Sequence, residues 1–216
     1  MAMVAADMAE AIRIAMGFPS PASTELIGWS TGVINEIVAA ALSQHASGTI
    51  TGTAPSTGGA LTAGTAVSGT VTGMTGASMA SRVDIAVGYG SVTTELDAFC
   101  DEIVAHINDD GVIAFASGQI IGTCTNTVVS PGPLTGGAGT LGTISGLDGD
   151  TLADNVHTAI GFPGGTSTPL KQFCGAVVDY IMANADITYA SGAVTATCPA
   201  GGGSISAGTG VNGTFA

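Results

Sequence analysis

The stretch "ASGTITGTAPSTGGALTAGTAVSGTVTG" (residues 46–73) decides how this chain is read. It holds seven glycines, many threonines and no charged side chain. Composition alone would suit a disordered linker, but the pattern does not. "GTITGT" and "SGTVTG" alternate small or polar residues with Ile50 or Val71, the period-2 signature of a half-buried strand. Thr and Val favour strands, and Pro55 with Gly58 and Gly59 marks a turn between two of them.

The arm is also written three times, and fixed periods of this kind set the whole architecture. "LTAGTAVSGTV" (61–71), "LTGGAGTLGTI" (134–144) and "ISAGTGVNGTF" (205–215) align. Each follows an Ala-Ser-Gly triplet, at 46–48, 116–118 and 190–192. Upstream, "MAEAIRIAMGF" (8–18), "MASRVDIAVGY" (79–89) and "LADNVHTAIGF" (152–162) share one apolar pattern. So do "TELIGWSTGVINEI" (24–37), "TELDAFCDEIVAHI" (94–107) and "TPLKQFCGAVVDYI" (168–181).

Each unit reads as two helices and a β arm. The first helix is expected to start after Asp7, Ser78 or Thr151, and to stop at Gly17, Gly88 or Gly161. The second is expected to start after Thr24, Thr94 or Thr168, with Pro169 at a first helical position. Leu96, Phe99, Cys100, Ile103, Val104 and Ile107 then form one amphipathic face. The expected fold is α+β: three tandem repeats of helix–turn–helix plus a Gly/Thr-rich β arm, as domains 1–76, 77–149 and 150–216, with pseudo-threefold symmetry where the copies pack around an axis.

Charged residues are only 9% of the chain, against about 25% in ordinary soluble proteins. Net charge is −13, and Arg13, Arg82 and Lys171 are the cations. This argues against a nucleic-acid partner and an anionic membrane surface, both of which select clustered Lys and Arg. No apolar run reaches the roughly 18 residues of a membrane-spanning helix. The stretch "MAMVAADMAEAIRIAMGF" does not read as a secretory signal, since Asp7 and Glu10 fall where an apolar segment is required.

All sixteen acids fall in the helical parts, while 46–77, 112–147 and 187–216 carry no charge. Free β surfaces ordinarily use charge to block edge pairing. The arms must therefore cover one another or be covered by another protein. The assembly candidates are Thr51 and Thr72 on the outward face, with Ile50 and Val71 on the inward one.

Motifs for chemistry are weak. "GWSTG" (28–32) matches Gly-x-Ser-x-Gly, but Ser30 falls inside a helix rather than on a strand-to-helix turn. "GTGVNG" (208–213) has no helix after it to receive a pyrophosphate. His45, His106 and His157 occupy non-equivalent repeat positions and read as solvated or helix-end residues rather than metal ligands. "NDDG" (108–111) lacks a calcium ligand ladder and reads as a turn. No catalytic residue, metal or cofactor is expected.

Cys100 and Cys124 are 24 apart, as are Cys174 and Cys198, and repeat 1 has Ser30 and Ala54 in their places. Paired gain or loss points to Cys100–Cys124 and Cys174–Cys198 bridges, from second helix to first strand. Four buried thiols are the alternative. A bridge also requires an oxidising environment.

A small Gly/Thr/Ala-rich chain of this repeat layout resembles bacteriophage virion structural proteins of the capsid decoration or tail-associated type. The resemblance implies a non-enzymatic assembly protein, foremost a decoration or cement protein. It would be assembled in the host cytoplasm and located in the virion, with other virion proteins or copies of itself as partners. A tail, neck or baseplate component is the first alternative. A surface adhesin or filament subunit is the second. It is the weaker, because glycan binders group aromatics with Asp or Asn in loops, whereas the single Trp, Trp29, lies on a helix core face.

Overall fold

The computed structural model describes residues 2–216, which are α+β. The helices are α1 (Ala5–Met16), α2 (Thr24–Ala40), α3 (Gly76–Val87), α4 (Thr94–Asp110), α5 (Gly149–Ile160) and α6 (Thr168–Asn184). The strands are β1 (Leu42–Ala54), β2 (Gly59–Ala60), β3 (Thr62–Thr72), β4 (Val112–Cys124), β5 (Gly132–Ser145), β6 (Ile187–Cys198), β7 (Gly203–Ser204) and β8 (Ser206–Phe215). Two helices precede the strands three times over.

The compact units do not follow the repeat boundaries. One gathers the helical segments up to Ala41, Gly73–Gly111 and Gly146–Ala185; the other gathers Leu42–Thr72, Val112–Ser145 and Asp186–Ala216. Each of 1–76, 77–149 and 150–216 therefore divides between them. The expected row of repeats, each with its own β arm, is corrected: the strands of all three segments close into a single barrel.

That barrel is antiparallel, in the cyclic order β1–β3–β4–β5–β6–β8 and back to β1. The short β2 pairs β4, and β7 pairs β1. Closure pairs every edge of the ring, removing the exposed donors and acceptors of an open sheet. Matching residues make the joints: Gly64 faces Ile120, Gly137 faces Val194 and Gly208 faces Ile50. A Cβ at any of these three glycines would collide with the facing carbonyl oxygen, so only glycine permits the approach. The third residue of each Ala-Ser-Gly triplet is left-handed, with φ 89° at Gly48, 87° at Gly118 and 89° at Gly192. Each sits in a register shift, which bends the strand as a closed barrel needs.

In the helical unit each helix packs on its neighbours in sequence, and α6 packs back on α1. The N-caps of the second helices are Ser23, Thr93 and Ser167, each accepting from the backbone N–H of Leu26, Leu96 or Leu170. The first helices begin three residues earlier than expected, with Val4, Thr75 and Asp148 at the N-caps. Gly17, Gly88 and Gly161 end them in the left-handed conformation, as the sequence implies.

Those early starts have a tertiary cause. Glu36, His106 and Tyr180 occupy one buried position in α2, α4 and α6. Glu36 Oε1 accepts from the Thr75 N–H (3.4 Å), His106 Nε2 from the Asp148 N–H (2.9 Å) and the Tyr180 hydroxyl from the Val4 N–H (2.7 Å). Three different side chains thus satisfy the same orphan donor of the next first helix.

Candidate functional site

Inside the barrel, the residue before each Ala-Ser-Gly triplet points inward: His45, Phe115 and Tyr189. Their rings meet mutually, with centroids 5.8 Å (His45–Phe115), 5.7 Å (His45–Tyr189) and 5.3 Å (Phe115–Tyr189) apart. His45 Nδ1 lies 2.7 Å from the Tyr189 hydroxyl, and Nε2 lies 3.2 Å from the Ile113 carbonyl oxygen. Burial holds the His45 pKa below its ordinary 6.5, against the opposing pull of the Ile113 carbonyl. Burial likewise raises the Tyr189 phenol, against a hydrogen bond from Ser43. A Cβ on Gly142 would stand 2.5 Å from the Phe115 ring, and one on Gly213 would stand 2.8 Å from the Tyr189 ring. The barrel interior is thus a packed core and not a ligand cavity.

Ile50 and Val71 are 1% exposed and belong to this core. Thr51 and Thr72 are exposed on the outer wall. The structure therefore separates the four assembly candidates, leaving the two threonines accessible. Their strands already pair within the chain, with β1 held between β3 and β8, so the ring offers no free edge to a partner strand. The wall is rich in hydroxyls, with Thr195 and Thr209 at 2.8 Å and Thr188 and Thr214 at 3.2 Å across β6 and β8. Val67, Ile121, Leu141 and Val211 are exposed on β3, β4, β5 and β8.

The cysteine pairing is corrected. Cys124 is bridged to Cys198, while Cys100 and Cys174 are buried free thiols. Burial pushes both thiols up to about 12, helped at Cys100 by Asp97 and Asp101, so neither is a ready nucleophile. The equal spacing of 24 reflected two repeat positions that became cysteine in two repeats, not a bond within each. Cys124 and Cys198 end β4 and β6, and Ala54, the equivalent residue of the remaining repeat, ends β1 and is also buried.

Histidine placement departs from the expectation of solvated side chains. His45 is in the barrel core and His106 is buried in α4, with Nδ1 2.7 Å from Asp110 Oδ2. His157 lies at the end of α5, where its Nε2 is 2.9 Å from the Gly164 carbonyl oxygen. No group of three or more His, Cys, Asp or Glu suited to a metal occurs among the described residues. No helix among them is long and apolar enough to cross a membrane.

Ser30 is fully buried in α2. The flanking glycines of "GWSTG" explain the motif: a Cβ at Gly28 would stand 2.8 Å from the Ala86 carbonyl oxygen, and one at Gly32 would collide with the Val83 backbone. They are a close helix contact between α2 and α3. Residues 208–213 lie in β8, and 108–111 are the end of α4 with its cap.

The helical unit contains a second aromatic triangle, at Trp29, Phe99 and Phe173. Their centroids are 6.0 Å (Trp29–Phe99), 4.8 Å (Trp29–Phe173) and 5.7 Å (Phe99–Phe173) apart, all edge to face. Three exposed aromatics stand in the adjoining linkers after Gly17, Gly88 and Gly161, namely Phe18, Tyr89 and Phe162. These three received no role from the sequence; their recurrence at one repeat position, after the glycine that ends each first helix, was the available signal. The chain matches no protein-family model, no curated protein and no solved structure.

Proposed function

We propose that the protein is a non-enzymatic assembly protein of the bacteriophage virion, foremost a capsid decoration or cement protein. Its three repeats would act as a pseudo-trimer around one axis, and its barrel wall would seat against other virion proteins. Within each unit the aromatic triangle supports threefold packing, because it is made from one repeat position taken three times.

The observation that carries the functional reading is the separation of charge. Fifteen of the sixteen acids and all three cations belong to the helical unit, and Asp186 is the barrel unit's one charged residue. Ring closure already protects the strand edges, so edge defence does not explain the wall. A surface left free in water gains solubility from charge. An uncharged wall bearing Thr51, Thr72, Val67 and Leu141 suits burial against a partner instead. The Cys124–Cys198 bridge suits a particle that persists outside a reducing cytoplasm.

Mass spectrometry of purified particles, from the virus whose genome encodes the chain, tests this reading. The chain should be present in stoichiometric amount and remain after washing. Its absence from particles, with free protein in the lysate, would overturn the virion assignment.

A further inference from the structure

We propose that the helical unit carries a second docking surface, built around Phe18, Tyr89 and Phe162, for a basic protein surface that presents apolar side chains. This surface uses different residues from the barrel wall and stands or falls separately from it.

Phe18, Tyr89 and Phe162 are 49%, 59% and 50% exposed, although each is a large aromatic. Single exposed apolar residues need no explanation, but the same position exposed in three repeats forms a pattern. Each stands beside the first turn of α2, α4 or α6, and those helices bring Trp29, Phe99 and Phe173 together. Tyr89 shares a cleft of about 550 Å³ with Trp29, Leu96, Phe99 and Ile160. The matching cleft one repeat on is lined by Met16, Pro169, Leu170, Phe99 and Phe173. Both are apolar slots between a second helix and the end of the next first helix, running to the aromatic triangle. Such slots accept a partner's aliphatic or aromatic anchor.

Charge selects the partner. Arg13 pairs with Glu10 at 2.6 Å, Arg82 with Glu36 at 2.7 Å and Lys171 with Asp150 at 3.5 Å. Every Lys and Arg of the chain is thereby matched by a carboxylate, and the remaining charge of the helical unit is carboxylate, including exposed Glu95 lining the Tyr89 cleft. A second copy offers either the same acidic helices or a barrel unit with no cation, so it complements neither. A basic partner complements the acids and gains most at low salt.

The single tryptophan reports on the site directly, because Trp29 lines the cleft. Purified protein should be titrated with three synthetic peptides: a Lys/Leu amphipathic helix, a Lys/Ser peptide of equal charge and a Glu/Leu helix. The Lys/Leu helix should change Trp29 fluorescence saturably, and the triple variant F18S/Y89S/F162S should weaken that binding at least about tenfold. Circular dichroism should show the variant's helices intact; should it not, the single variant Y89S serves, with the same direction of change. The proposal is overturned by no saturable change with the Lys/Leu helix, by equal response to Lys/Ser or Glu/Leu, or by unchanged binding in the variants. Particle incorporation plays no part in this titration, so its failure is distinguishable from failure of the virion reading.

Discussion

Cys124 and Cys198 lie 74 residues apart in sequence, one repeat period, and are joined by a disulfide with Cα atoms 5.8 Å apart. The bond links the end of β4 to the end of β6, two strands separated by β5 in the ring. It constrains a long loop of the unfolded chain and should contribute about 2–4 kcal/mol. Alkylation of denatured, unreduced protein should label Cys100 and Cys174 alone, and native protein should resist labelling. Labelling of all four thiols, or a Cys100–Cys124 cross-linked peptide, would contradict this pairing.

Ile103 is 1% exposed on α4. Ile103→Asp buries an unpaired carboxylate and should cost several kcal/mol, on the order of 3–5. Thermal unfolding by circular dichroism reads the loss directly. A melting temperature within a degree or so of wild type would mean that this helix face is not core.

The glycine-to-ring contacts of the barrel can be tested by overpacking. Gly142→Ala places a methyl group against Phe115 and should destabilise by about 1–3 kcal/mol. Gly165→Ala meets nothing within 4 Å and serves as the control, with little effect expected. Denaturant unfolding of the two variants side by side separates the outcomes, and equal midpoints would contradict the packed interior.

His45 gives the barrel a pH dependence of defined sign. Its folded pKa lies below 6.5, so the unfolded chain binds the proton more readily. Stability from this group is complete above about 6.5 and falls as pH drops through and below that value. His45→Phe, which copies Phe115, should flatten this part of the curve, whatever it costs at neutral pH. Urea midpoints between pH 7.5 and 5 measure it, and an unchanged slope in the variant would exclude His45 as the source.

Repeat number, helix pairs, strand alternation and the left-handed stops at Gly17, Gly88 and Gly161 were legible because local periodicity and capping carry them. Barrel closure was not. Gly64, Gly137 and Gly208 look like flexible residues until the facing carbonyls of Ile120, Val194 and Ile50 are in place. The disulfide was misread for the same reason: spacing within a repeat says nothing about which equivalent positions converge. His45 was misread because its partners Tyr189 and Ile113 are distant in sequence. Of the assembly candidates, alternation correctly separated outward Thr51 and Thr72 from inward Ile50 and Val71.

The uncharged barrel wall, proposed as a contact surface in an assembled particle, is probed by the double variant Thr51→Lys, Thr72→Lys. Both side chains are exposed on the closed barrel, and substitutions at such positions ordinarily change stability by no more than about 0.5 kcal/mol. The measurement is incorporation of the variant into particles relative to wild type, with circular dichroism confirming an unchanged fold. A folded protein that fails to incorporate is expected, because two lysine charges would be buried without partners. Normal incorporation of a folded double variant would contradict it.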